Sequence, residues 1–272
     1  DDVESRGLGD VYKRQSYGKV NVFSDFSLSV NEGEFVSIVG CNKSGKTTLM
    51  KLLAGLLPSN GKISVNYVIA DSKNIDYTAP TVGVLLGELD DQFLFDDVYH
   101  ELAFPLENLA LPKAEIDERI GKVTRLLKIN DLVDRKIDKL TMSEKAKLLL
   151  AVAIIHDPKV LLLDSPFCMM KKSDRMEMIA ILRYLVDQKG LTVLLTSNDL
   201  MDALYADYLY VLDNGRIAVE GDPIAVMRED KLIGRLNLEL PFMVDLSNKL
   251  KLYGLLDEVI IDMDRMVDTL WK

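Results

Sequence analysis

The sequence is poor in cysteine, histidine, long apolar runs and positive charge. Its 272 residues hold two cysteines, Cys41 and Cys168, too few for a disulfide framework and in keeping with a reducing compartment. The two histidines, His100 and His156, leave a Cys/His structural zinc site without enough ligands. The longest apolar run covers residues 148–155, far short of the roughly 18 residues that span a bilayer. No apolar leader core follows the first residues. Lys and Arg number 33 against 43 Asp and Glu, a net charge of −10. A protein built for nucleic acid carries a basic surface, so that class of main partner is excluded. Repeats and low-complexity tracts are absent as well. These absences predict a cytoplasmic protein, free to dock on a membrane protein.

What is present is core-forming material. A hydrophobic share of 48% with 28% charged residues is the balance of a globular chain. Dividing the length by a typical domain gives about 1.8, one large domain or a domain with an appendage. Residues 5–15 resemble the translation of a transposon-end sequencing adapter. Residues 1–15 are therefore expected to be a non-native or disordered tail and take no part in the fold argument.

A short buried strand over 34–39 runs into Gly40-Cys41-Asn42-Lys43-Ser44-Gly45-Lys46-Thr47. This matches G-x-x-x-x-G-K-[ST] at every fixed position. Helical spacing follows over 47–57, stopped by Pro58. Gly40 and Gly45 let the backbone bend so that successive N–H groups converge, and the helix adds its positive end. Lys46 would reach the β- and γ-phosphates of a nucleotide, and the Thr47 hydroxyl would ligate Mg²⁺. Cys41 reads either as a redox-sensitive thiol or as a small side chain tolerated at a variable position.

A second buried strand over 160–163 ends in Asp164, which a phosphate-binding fold needs to hold Mg²⁺ opposite Thr47. Further strands are predicted over 81–86, 191–195 and 208–212, with a terminal hairpin turning at Asn214-Gly215 into 216–220. Helical patterns cover 113–128, 143–156 and 174–189. The alternation implies an α/β fold with a mainly parallel sheet covered on both faces. Residues 88–157 form a helical subdomain in this reading, and 229–272 a small C-terminal appendage.

The order of these parts resembles the ATP-binding cassette family, and within it the ATPase subunits of energy-coupling factor transporters and their cobalt-uptake relatives. The likeness runs from Tyr17 onward. It is carried by Val82-Gly83-Val84 through Gln92, by residues 101–108, and by 238–242 followed by 250–254. The resemblance implies a P-loop NTPase fold of ABC ATPase type over 16–228, with an antiparallel β part, and an extension over 229–272 through which two ATPase subunits pair. It makes Tyr17 the aromatic that stacks on adenine, alongside the nucleotide-binding run from Gly40 through Thr48. It implies ATP and Mg²⁺ as cofactors and a place on the cytoplasmic face of the membrane. Its partners would be a second ATPase subunit, a transmembrane coupling subunit and a substrate-binding membrane subunit. Phe93, Phe95, Phe104 and Leu106 are then candidates for the docking groove.

Five positions depart from the family pattern. Gly87 stands at the glutamine-loop position. The signature Leu-Ser-Gly-Gly-Gln reads Leu140-Thr141-Met142-Ser143-Glu144. Ser165 replaces the catalytic glutamate, Lys171 the next loop's aspartate, and Asn198 the switch histidine. Ser165 cannot act as a base near neutral pH, and Asn198 brings no positive charge to a γ-phosphate. Two readings stay open: a transport-coupled ATPase, or an ATP-binding partner with little hydrolysis of its own.

Overall fold

The computed structural model describes residues 7–8, 15–17, 20–23, 26–58, 63–65, 68–69, 80–87, 89–168 and 170–271. Its strands are β1 (Gly7–Leu8), β2 (Gln15–Tyr17), β3 (Val20–Phe23), β4 (Val30–Asn31), β5 (Phe35–Val39), β6 (Ser64–Val65), β7 (Val68–Ile69), β8 (Val82–Leu85), β9 (Val160–Asp164), β10 (Thr192–Ser197), β11 (Tyr208–Asp213) and β12 (Arg216–Gly221). Its α-helices are α1 (Lys46–Leu53), α2 (Val98–Asn108), α3 (Lys113–Leu126), α4 (Met142–Ile154), α5 (Lys172–Lys189), α6 (Pro223–Met227), α7 (Asp230–Arg235), α8 (Phe242–Leu252) and α9 (Met263–Leu270).

The central sheet runs β12-β11-β5-β10-β9-β8. All its pairs are parallel except the β11–β12 hairpin. Central strands of a parallel sheet are buried on both faces, which is why β9 reads Val-Leu-Leu-Leu-Asp with every residue buried. Successive side chains still alternate between faces. Leu161, Leu163, Val193 and Leu195 join α4, α5 and the other helices of one cluster. Leu162, Leu194, Val36 and Ile38 join α1 and the β3–β4 region on the other face.

The helical part holds α2, α3 and α4 between β8 and β9. It abuts the sheet closely: a Cβ at Gly83 would stand 2.1 Å from the Ala153 carbonyl oxygen. Buried Glu101 on α2 accepts the N–H groups of Leu94 and Phe95, both at 2.9 Å, and so shapes the loop before the helix.

One expectation is corrected. Leu106, expected at a docking surface, is fully buried, because it lies on the face of α2 that meets α3 and α4. Leu94, not singled out in the sequence, is 68% exposed. The stretch set aside as a tail contains two short pairings. Gly7–Leu8 pairs antiparallel with Val30–Asn31, and Gln15 pairs with Phe23, satisfying backbone groups that a short edge strand would leave open. Residues 1–6 and 9–14 lie outside the described residues.

The C-terminal segment is not a separate core. Ile233, Leu238 and Val244 share one apolar cluster with Val39, Leu209 and Val211 of the sheet. A small satellite of Leu256, Ile260 and Met266 lies beyond it. Ser247 links the two, donating to the Ile260 carbonyl at 2.9 Å and accepting its N–H at 3.0 Å.

Candidate nucleotide-binding site

The loop between β5 and α1 owes its shape to two glycines. A Cβ at Gly40 would lie 2.3 Å from the Leu212 carbonyl oxygen and 2.7 Å from Ser44 Oγ, so a larger residue does not fit. Gly45 sits at φ 112°, in the left-handed region that glycine enters without strain. The loop is braced from three sides. Gly40 N–H donates to Ser197 O at 3.2 Å, and Gly215 N–H at the β11–β12 turn donates to Ser44 O at 3.0 Å. The Cys41 thiol donates to Leu236 O at 3.1 Å, beside the end of α7.

Lys46 is buried under this loop. Its ammonium donates to Gly40 O at 2.6 Å, Cys41 O at 2.9 Å and Ser44 Oγ at 3.5 Å. Burial holds its pKa below the ordinary lysine value, while Asp164 and Cys41 pull in the opposite sense. The start of α1 carries no side-chain cap and no acidic residue in its first turn. An uncapped helix start beside a buried ammonium is chemically a receptor for an anion with several oxygens. Asn42, Lys43 and Thr47 are exposed and Thr48 is half-buried, so the loop's outer side is open to a ligand.

Asp164 ends β9, buried, with Oδ1 accepting the Thr196 hydroxyl at 2.6 Å. A carboxylate and the Thr47 hydroxyl are hard oxygen donors of the kind Mg²⁺ prefers. The next residue, Ser165, sits at φ 51°, a conformation costing a non-glycine residue about 1–2 kcal/mol. Its N–H donates to both O and Oγ1 of Thr196 at 3.1 Å, which holds the strained turn in place. Asn198 is exposed at the end of β10. Its neighbours are pinned: Ser197 Oγ donates to Asp202 at 2.5 Å, and Arg175 bonds Asp202 and Asp199. Arg175 lies on α5 four residues past Lys171, so one guanidinium ties the start of α5 to the segment after β10.

The ABC transporter family profile matches residues 23–168. The chain belongs to the ABC transporter family. The energy-coupling factor transporter ATP-binding protein EcfA1 of Listeria innocua is 30% identical over 263 residues, 96% of this chain and 94% of its own. EcfA1 of Bacillus subtilis is 31% identical over the same shares. Among solved structures, CbiO1 from Clostridium perfringens, part of the ABC transporter complex CbiONQ, matches with a TM-score of 0.76 at 27% identity. It covers 89% of this chain and 99% of its own.

In this ABC cassette the signature turn precedes α4. Thr141 and Glu144 form a reciprocal cap there. Glu144 Oε2 accepts the Thr141 N–H at 2.7 Å and the Thr141 hydroxyl at 2.9 Å, while Thr141 Oγ1 accepts the Glu144 N–H at 3.3 Å. The spacing Thr-x-x-Glu is itself a helix-start pattern. Met142 is half-buried and packs against the helical cluster.

Gly87, at φ 93°, leaves the glutamine-loop position without a side chain. Gln92 folds back on it instead, accepting the Leu86 N–H at 3.2 Å and donating to Gly87 O at 3.3 Å. Tyr17 ends β2, paired with Val20, and its side chain lies outside the described residues. A cleft of about 1020 Å³ opens at the far end of the sheet, beside Arg119, Asp157, Lys159 and Gly190, and no residue of the nucleotide loop lines it.

Proposed function

We propose that the chain is an ATP-binding subunit of an ECF-type importer that keeps the chemistry for holding MgATP and has lost most of that for cleaving it. The observation that carries the first half is the loop over Lys46, with its uncapped helix start and glycine-only contact at Gly40. In this reading Gly40 through Thr48 and Lys46 hold the phosphates and Tyr17 stacks on adenine. Thr47 and Asp164 hold Mg²⁺, whose contribution is to neutralise phosphate charge.

The second half rests on Ser165 and Asn198. Neither offers a base for water nor a cation for the departing charge. The hydroxyl of Ser165 and the amide of Asn198 bind and orient without moving a proton. Any cleavage in the assembled transporter then falls to a site completed by an intact partner ATPase. The alternative, a motor that drives uptake of a vitamin or metal ion with its own hydrolysis, requires turnover that these positions do not support.

Pairing is assigned to residues 229–272. On α9, Met266 turns inward, while Met263, Val267, Leu270 and Trp271, at helical spacing, form an exposed apolar face; Leu252 and Tyr253, at the end of α8, are exposed as well. Such an exposed apolar face marks an interaction surface. Docking on a transmembrane coupling subunit at the cytoplasmic face falls to the loop held by Glu101, where Leu94 and Phe95 are exposed and Phe95 packs on Phe104.

The direct test is fluorescent-ATP titration of the purified chain with Mg²⁺. Binding in the wild type and its loss by at least tenfold in Lys46→Ala are expected; equal affinity would remove the assignment of the loop.

A further inference from the structure

This inference rests on reading Asp164 and Thr47 as the residues that hold the cation of a bound nucleotide, and it concerns which cation they accept. Asp164 and Thr196 are register partners on the parallel strands β9 and β10. Both are buried, Thr196 fully. The Thr196 hydroxyl has one proton and donates it to Asp164 Oδ1 at 2.6 Å, a short bond to a charged acceptor. The same hydroxyl oxygen accepts the Ser165 N–H at 3.1 Å. An N–H can only donate, so the bond from Ser165 fixes the direction in which the Thr196 proton points.

The hydroxyl is not needed to satisfy Ser165, whose N–H also donates to the Thr196 backbone carbonyl at 3.1 Å. Its distinct contribution is the grip on Asp164. That grip makes the two carboxylate oxygens unequal. Oδ1 is engaged across the sheet by β10, while Oδ2 has no hydrogen-bond partner among the described residues. A cation held here therefore finds one uncommitted carboxylate oxygen, with the Thr47 hydroxyl as a second protein donor. Mg²⁺ suits such a site, because it keeps several waters and takes one or two protein oxygens besides phosphates. Ca²⁺ gathers more oxygens and gains from a carboxylate that grips through both.

We propose that Thr196 is a specificity-determining residue for the nucleotide's cation. By occupying Oδ1 it limits Asp164 to a contact through one oxygen and tunes the site to Mg²⁺ against Ca²⁺.

Thr196→Val tests this, because it conserves shape, leaves the Ser165 N–H on the backbone carbonyl and releases Oδ1. Thr196→Ala removes the hydroxyl with less bulk, and Thr196→Ser keeps it. Fluorescent-ATP affinity of each full chain is measured at saturating Mg²⁺, at saturating Ca²⁺ and in EDTA, with urea unfolding followed in parallel. The wild type and Thr196→Ser should prefer Mg²⁺. Thr196→Val and Thr196→Ala should lose about tenfold of that preference, with affinity in EDTA unchanged. A Mg²⁺-to-Ca²⁺ ratio unmoved in both hydroxyl-free variants, or lost equally in Thr196→Ser, overturns the inference. So does a wild type that binds ATP equally with either cation and better than in EDTA. A wild type that binds no ATP, or binds it equally under all three conditions, overturns instead the reading of Asp164 and Thr47 beneath it.

Discussion

Single residues decide more of the chemistry here than elements do. Ser165 shows how much can hang on one position: it holds a strained φ of 51° at the turn after β9, the position we propose to correspond to the family's glutamate. Glu101 is a second case. Its burial raises its pKa, although the N–H groups of Phe95 and Leu94 pull it down. The folded state therefore holds the proton more tightly than the unfolded chain. Its contribution to stability is greatest below about pH 4.5 and is lost as pH rises through the higher folded value. Urea unfolding of Glu101→Gln between pH 4.5 and 7 should show that fall flattened. At pH 7 Glu101→Ala should cost about 3 kcal/mol by orphaning two N–H groups, and Glu101→Gln about 1 kcal/mol or less. Equal losses would mean that the two hydrogen bonds do not hold the loop.

Elements were the most legible level. The buried runs over 34–39, 160–163, 191–195 and 208–212 became β5, β9, β10 and β11, because parallel strands covered on both faces read as unbroken apolar runs. Phosphate-loop spacing was equally plain, since glycine positions follow from backbone geometry alone. Faces of helices were harder. Leu106 looked like a docking residue by its place in a motif, yet α2 turns it into the core. The bond between Cys41 and Leu236 joins positions 195 residues apart, and no local pattern announces it. Helix α9 poses a question only the folded chain raises: Met266 alone is buried, and Trp271 stands 81% exposed. Replacing Val267 by Ser and Trp271 by Ala together should leave unfolding free energy within about 0.5 kcal/mol. The same change should weaken nucleotide-independent self-association, or association with a second ATPase subunit, by at least about tenfold in sedimentation. Unchanged association would make this face a solvated surface and move pairing elsewhere.

For the whole molecule, the site and the C-terminal segment are one mechanical unit. Val39 and Cys41, at the root of the phosphate loop, share an apolar cluster with Ile233, Leu236 and Val244. A segment that reads in sequence as an appendage thus packs under the loop that holds Lys46. The central claim is that ATP binding survives while cleavage is eroded. Its most direct measurement is steady-state phosphate release by the purified full chain at saturating MgATP, wild type beside the double variant Ser165→Glu with Asn198→His. The account predicts that the wild type binds ATP with negligible turnover and that the double variant gains at least about 10²-fold. Brisk wild-type turnover that the restored residues fail to raise would contradict it.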